Sequence, residues 1–230
     1  MPDVTSQCAG VESSTIERSD IASRRFIVAK IPHTNSVPIS TSSFHHRLAT
    51  PADIPRIHAL IDRSVRELQA NDYTPAQIDE ALRTYLSLDT QLITDQTYFV
   101  VEDPEAAPHA PLVASGGWNK RRTLCGGDTS LGGDNNPADR DSSLLDPATE
   151  AAKIRAFYVH PDWARRGIGS KILELCENAA RAAGFTRFET GATLTGVPLY
   201  TRHGYREVER AGLPFKNGDS LAIVRMVKED

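Results

Sequence analysis

Apolar residues recur along three stretches of the chain at spacings of three and four, which place them on one face of a helix. The stretches are residues 54–68, 74–86 and 168–183, and a short fourth helix is predicted around Pro198–His203. The second stretch begins with the Thr-x-x-Gln pattern of a capping box at Thr74. The pattern therefore predicts amphipathic helices that each turn one face toward a core.

Short runs of β-branched and aromatic residues predict strands between and after these helices. They lie at residues 44–49, 96–103, 111–118, 152–159, 187–193, 205–210 and 220–227. The resulting order is strand, two helices, three strands, helix, strand, helix and two strands. This order predicts a mixed α/β sheet with a crossover helix after the fourth strand.

The same pattern divides the chain. Residues 1–43 are rich in Ser and Thr and predict a polar N-terminal extension with one candidate strand at Phe26–Ile31. Residues 44–230 predict the globular domain, and a loop insertion at 119–150 is full of turn-forming residues. The insertion is acidic, and two interpretations stay open. It could be a lid that attracts a cationic substrate, or a solvated loop without catalytic consequence.

Composition narrows the class of protein. The chain has 230 residues, 40% of them hydrophobic, which suffices for a good-sized core. A net charge of −4 gives no indication of a nucleic-acid or anionic-membrane partner, and no apolar run is long enough to span a bilayer. The three cysteines are widely spaced and predict reduced thiols rather than a metal site. We expect a cytoplasmic protein; a homodimer is left open.

The stretch Ala164–Ser170, ARRGIGS, stands at the start of the helix over 168–183. A helix start carries unpaired N–H groups and a partial positive charge, so it favours an anion. Gly167 and Gly169 let the backbone approach that anion, and Arg165 and Arg166 can add charge-assisted hydrogen bonds. The alternative is a tight strand-to-helix turn with two surface arginines.

The segment IRAFYVHPDWARRGIGSKIL resembles the acetyl-CoA-binding motif of the GCN5-related N-acetyltransferase (GNAT) superfamily. RLATPADIPRIHAL resembles the first strand and helix of that family, and GVPLYTRHGYRE resembles its late Leu-Tyr-x-x-x-Gly-aromatic motif. The resemblance covers about residues 44–227. It implies a mixed, mostly antiparallel central sheet with flanking helices, the GNAT-like acyl-CoA transferase fold.

The resemblance also implies a set of cofactor contacts. The anion is then the pyrophosphate of coenzyme A, held by N–H groups from Arg166 to Ser170, which include those of Gly167, Ile168 and Gly169. The pantetheine arm pairs with backbone groups of Phe157 and Val159. Two positions depart from the family pattern: Ala164 replaces an Arg or Gln, and Thr193 replaces a frequent Asn and offers a weaker polar contact or none.

Three side chains are candidates for the chemistry. Tyr200 stands where many family members place a tyrosine near the thioester sulfur, although it could be a core tyrosine. Glu189 is the first candidate for the general base, because a carboxylate on a buried strand beside the cleft can have a raised pKa; the alternative is a solvated strand residue paired with Arg187 or Arg206. Trp118 could line an acceptor pocket or pack in the core or at its rim.

These residues and the resemblance predict an acetyl-CoA-dependent N-acetyltransferase that transfers acetyl to the amine of a small molecule by direct attack in a ternary complex. Two alternatives remain: a protein or peptide N-acetyltransferase, and a catalytically weak acyl-CoA-binding module that regulates. No metal is predicted.

Overall fold

The computed structural model of the chain describes residues 44–106, 110–122, 127–128 and 143–230, and the candidate strand at Phe26–Ile31 lies outside them. Seven strands and five α-helices are present in this part. The strands are β1 His45–Leu48, β2 Tyr98–Glu102, β3 Ala114–Asn119, β4 Ala152–Val159, β5 Arg187–Thr193, β6 Arg206–Pro214 and β7 Ser220–Glu229. The helices are α1 Ile54–Leu68, α2 Pro75–Thr84, α3 Thr90–Thr94, α4 Ile168–Ala182 and α5 Val197–Arg202.

The seven strands form one sheet in the order β1-β2-β3-β4-β5-β7-β6. All neighbouring strands are antiparallel except β4 and β5, which α4 connects as a parallel crossover. This confirms the predicted fold class, a mixed and mostly antiparallel sheet with flanking helices. The α3 helix was not predicted, since its five residues are too short to show a helical period.

Two hydrophobic cores cover the two faces of the sheet. The first contains Ile168 and Ile172 of α4 together with Phe188 of β5. The second contains Ile57 and Ile61 of α1 together with Ile223 of β7. The apolar stripes predicted for α1 and α4 are therefore the faces that these helices bury.

The beginning of α2 follows the predicted capping box. The Thr74 Oγ1 accepts the N–H of Gln77 at 3.2 Å, and the Gln77 Oε1 accepts the N–H of Thr74 at 3.1 Å. Two N–H groups that would otherwise lack partners are thereby satisfied.

The two ends of the insertion predicted at 119–150 are held together by hydrogen bonds and an ion pair. The N–H of Leu145 donates to the Lys120 carbonyl at 2.8 Å, and Arg122 forms an ion pair with Glu150. Asp128 accepts the N–H of Thr90 at 3.1 Å, which ties the described part of the insertion to α3. The described acidic residues Asp128, Asp146 and Glu150 thus all bond to groups within the protein. In the described part of the chain, no helix is long and apolar enough to cross a membrane.

Candidate active site

The sheet opens between its two parallel strands. β4 and β5 pair only at Ala152–Phe188 and Lys153–Glu189. Farther along, β4 remains paired with β3 and β5 with β7, but β4 and β5 no longer pair with each other. One backbone edge of β4 therefore faces this opening without a strand partner among the described residues.

A β-bulge in β4 lies beside the opening. The register between β3 and β4 shifts between Ser115 and Gly117, and Ala156 has a φ of 58°. The buried hydroxyl of Tyr98 donates to the Ala156 carbonyl at 3.2 Å and lies 2.9 Å from the Ser115 Oγ. The bond from Tyr98 gives the Ala156 carbonyl at the bulge a hydrogen-bond partner.

A glycine in β3 brings α4 close to this part of the sheet. A Cβ added at Gly116 would lie 2.6 Å from the Ile172 Cγ2 and 2.9 Å from the Phe157 Cδ2. Such distances are too short for real side chains, so this position needs a residue without a Cβ. A glycine pair within a strand, as at 116–117, is the kind of sequence signal that indicates a bulge or a close approach.

The turn between β4 and α4 has the backbone of an anion site. Arg165 has a φ of 63° and Gly167 a φ of 82°, while Ala164 between β4 and these residues is extended. Left-handed residues in such a turn can direct successive N–H groups to one side, where they form a nest for an anion. The first N–H groups of α4 lack intrahelical acceptors and add a partial positive charge.

The side chains at this turn leave the approach open. Arg165, Arg166 and Gly167 are exposed, and a Cβ added at Gly167 would meet no atom within 4 Å. An open groove of about 470 Å³ continues from the turn along α4. It is lined by Gly167, Ser170, Lys171, Glu174, Glu177 and His203. The turn can therefore hold a phosphate group and leaves room for what the phosphate carries.

His160 is a buried residue that precedes the turn and holds the chain in place there. Its ring is 2% exposed, its Nε2 lies 2.9 Å from the Arg63 Nη1, and it packs edge-on against Trp163 with centroids 4.6 Å apart. Burial and the Arg63 charge lower the pKa of His160, against the smaller effect of Asp162. The neutral ring can thus accept a hydrogen bond from Arg63 and fix the chain just before the turn.

Tyr200 lies across the opening. Its ring centroid is 6.1 Å from that of Phe157 on β4, and its hydroxyl is near the Thr190 side chain on β5. Burial raises the pKa of Tyr200 above its ordinary range, against a smaller opposing effect of the Thr190 hydroxyl. The phenol is therefore a protonated hydrogen-bond donor at neutral pH.

The predicted cofactor residues lie together. A Cβ added at Gly169 would lie 3.5 Å from Leu199 of α5 and 3.8 Å from Val159 of β4. A Cβ added at Gly196 would lie 3.5 Å from both the Thr193 Oγ1 and the Tyr200 ring. The turn, the end of β4, the end of β5 and the start of α5 thus meet at one end of the opening.

Trp118 is not part of this assembly. It pairs with Ile154 near the start of β4, roughly 16 Å of strand away from the turn. Its ring is 5% exposed and packs edge-on against Phe185 with centroids 5.9 Å apart. This position corresponds to the core-packing alternative and does not support the acceptor-pocket interpretation.

The environment of Glu189 corrects the expectation of a raised pKa. Burial alone would raise the pKa of Glu189, but hydrogen bonds and charges from Lys153 and Arg225 outweigh it, so the pKa is lowered. Both cations bond to the Glu189 carboxylate. Its partners are thus neither Arg187 nor Arg206, and a carboxylate stabilised in its charged form is a weak base.

Sequence reasoning missed these partners and a second buried ion pair. The Arg155 Nη1 lies 3.2 Å from the Asp89 Oδ2, and both side chains are almost fully buried. Lys153, Arg155 and Arg225 are ordinary strand residues in the sequence. No local pattern indicates that they meet carboxylates far away along the chain.

The mixed sheet opens between two parallel strands, beside a turn with two left-handed residues and a helix start, and its fold is that of a solved GCN5-related N-acetyltransferase. Residues 136–207 match the family model described as an acetyltransferase (GNAT) domain. This match confirms the resemblance to the GNAT superfamily that the turn and the Leu-Tyr motif predicted.

Several solved structures have the same fold as this chain. A GCN5-related N-acetyltransferase from Rhodopseudomonas palustris is 19% identical, with a TM-score of 0.56 over 82% of this chain and 97% of its own. The PaiA N-acetyltransferase of Thermoplasma acidophilum in complex with coenzyme A is 11% identical, with a TM-score of 0.53 over 82% and 99%. The mosquito protein named arylalkylamine N-acetyltransferase like 5b is 13% identical, with a TM-score of 0.52 over 82% of this chain and 100% of its own. No curated protein sequence matches the chain.

Proposed function

We propose that the protein is an acetyl-CoA-dependent N-acetyltransferase that transfers the acetyl group to the amine of a small molecule by direct attack in a ternary complex. One observation carries this proposal: an anion-binding turn stands at the mouth of a split between β4 and β5, next to a buried phenol. The Thermoplasma relative with this fold was solved with coenzyme A, and the mosquito relative is named for arylalkylamines.

The turn fits the pyrophosphate of coenzyme A. Backbone N–H groups from Arg166 to Ser170 would hold the phosphates, and the guanidinium groups of Arg165 and Arg166 would add charge. The groove along α4, with Lys171 and His203, would take the nucleotide beyond them. The family motif has a side-chain donor where this chain has Ala164, so more of the contact falls to the backbone.

The split fits the pantetheine arm. The edge of β4 at Phe157 and Val159 faces the opening, where β5 no longer supplies partners. An amide-bearing arm can pair with this edge as an added strand would. Held there, the thioester would lie between β4 and β5, and positioning of the amine against it would supply much of the rate.

Tyr200 would serve the leaving sulfur. As the amine attacks, negative charge develops on the sulfur, which water cannot solvate in a closed cleft. The phenol would donate a hydrogen bond to it, and subsequently a proton. Glu189 would not deprotonate the amine, so we assign no side chain to that step.

Calorimetry with acetyl-CoA, followed by an assay of free thiol release with amines, amino acids and peptides, tests the proposal. We expect binding of acetyl-CoA and turnover with small amines. Binding without turnover would support a regulatory acyl-CoA-binding module instead. A strong preference for peptides would support a peptide acetyltransferase, and no binding would refute all three.

A further inference from the structure

A charged cluster lies at the closed end of the opening, on the face of the sheet opposite α4. Glu189 receives hydrogen bonds from Lys153 and Arg225. Side chains alternate between the faces of a strand, so Arg225 shares the face of Ile223, which belongs to the second core. The cluster is therefore on the face that α1 and α2 cover, and Lys153 and Glu189 form the last paired rung before β4 and β5 separate.

Arg225 is the accessible member of this cluster. Its side chain is 42% exposed, against 14% for Lys153 and 8% for Glu189. Its Nε donates to Glu189. Within the residues that the structure describes, no hydrogen bond engages the two terminal nitrogens of its guanidinium group. The group is thus held at one edge and presents its terminal fork to solvent.

The charge of the cluster suits an anion. Lys153 and Arg225 are two cations beside one buried carboxylate, Glu189. Glu209 lies opposite Arg225 on β6, but it is exposed, so solvent screens its charge. The nearby Arg155 and Asp89 balance each other in their own ion pair. A planar guanidinium fork binds a carboxylate through two parallel hydrogen bonds, which a lysine cannot do.

The cluster lies where the acceptor amine would approach the thioester. In the proposed function, the acetyl donor enters from the turn on the α4 side and fills the opening along β4. The amine must then approach the thioester from the other face of the sheet. Lys153, Glu189 and Arg225 line that face where the opening closes.

We propose that Arg225, oriented by Glu189, binds a carboxylate of the acceptor, so that the substrates are small amines that carry a carboxylate, such as amino acids. This inference rests on the proposed function and names the substrate class of the same site. Arg225 acts as a specificity-determining residue and Glu189 as a positioning residue, because only Arg225 would contact the acceptor.

Matched acceptors test the inference. Each set contains an α-amino acid, its carboxamide, and the amine that lacks the carboxylate; the carboxamide also mimics the N-terminal residue of a peptide. The parent protein should have a kcat/KM for the amino acid at least roughly ten-fold above that for the other two, because a charge-assisted bidentate contact is lost with them.

Three variants locate the effect. Arg225→Gln should reduce kcat/KM for the amino acid about ten- to a hundred-fold, mainly through KM, and leave kcat/KM for the two acceptors without a carboxylate unchanged. Arg225→Lys keeps a cation beside Glu189 but not the fork, so it should restore only part of the loss. Arg206→Gln removes the same charge from the exposed strand β6 and should change nothing.

Binding supplies a readout that does not depend on turnover. N-acetylated amino acids should bind the coenzyme A-loaded parent protein more tightly than the matching N-acetylated amines, and Arg225→Gln should remove the difference. Equal use of all acceptors, or an equal loss for all of them in Arg225→Gln, would overturn this inference alone. A protein that binds no coenzyme A would overturn the proposed function as well.

Discussion

Lys153 of β4 and Glu189 of β5 form the last paired rung between the two parallel strands, and their side chains are joined by an ion pair. Beyond this rung the strands separate to form the opening. The same carboxylate also holds Arg225. One buried anion thus links the closed end of the opening to Arg225, the cation that we propose contacts the acceptor.

Glu189→Gln should lower the stability of the fold. It should not lower activity in the way that the loss of a general base would. The variant leaves two cations beside a neutral amide, which we expect to lower the free energy of unfolding by about 1.5–3 kcal/mol. Urea denaturation measures it. Glu207 is an exposed carboxylate on β6 that pairs with Arg210 three residues along, so Glu207→Gln should leave the midpoint nearly unchanged.

The effect of Glu189 should depend on pH. Because the pKa of Glu189 is lowered in the folded protein, its contribution is present above the ordinary carboxyl pKa of about 4.3 and is lost as the pH falls through the folded-state value. The stability difference between parent and Glu189→Gln should therefore shrink below about pH 4. A constant difference down to the lowest pH at which the protein folds would contradict this assignment.

Gly167→Asp should abolish acetyl-CoA binding measured by calorimetry. The substitution adds a negative charge at the nest and forces a non-glycine residue to a φ of 82°. Gly218→Asp is the matched control, since Gly218 has a φ of 87° and a Cβ there would also meet no atom within 4 Å. Equal affinities in the two folded variants would exclude the turn as the phosphate site.

Tyr200→Phe should lower kcat by roughly ten- to a thousand-fold with little change in acetyl-CoA affinity. The ring and its contact with Phe157 remain, whereas the donor to the sulfur is lost. Tyr205→Phe removes a hydroxyl from the adjacent ring, 5.4 Å away, and should retain activity. Parental turnover by Tyr200→Phe while chemistry is rate-limiting would assign Tyr200 to packing alone.

His160 should make stability fall below neutral pH. Its pKa is lowered by burial and by Arg63, so below the ordinary histidine value of about 6.5 the unfolded chain takes up a proton that the folded protein resists. Stability should be full above that pH and decline beneath it. In His160→Gln, which keeps an acceptor for Arg63, the decline should be smaller; exposed His58→Gln should behave as the parent does.

The sequence by itself determined what short-range contacts decide. The stripe over residues 54–68 coincides with α1, and the strands at 152–159 and 187–193 have the predicted bounds. The capping box at Thr74 and the turn before α4 were also readable, because their partners lie within a few residues along the chain. The resemblance to a known family extended the prediction to the fold class.

Only the tertiary structure decided how distant segments meet. β7 enters the sheet between β5 and β6, and β4 separates from β5 after two paired positions, neither of which a strand pattern specifies. Lys153 and Arg225 each lie 36 residues from Glu189 along the chain, and together they turn an expected base into a stabilised anion. Trp118 likewise packs in the core because of which distant segments surround β3. Side-chain charge and burial depend on which strands become neighbours, and sheet pairing sets this over long separations that local periodicity does not record.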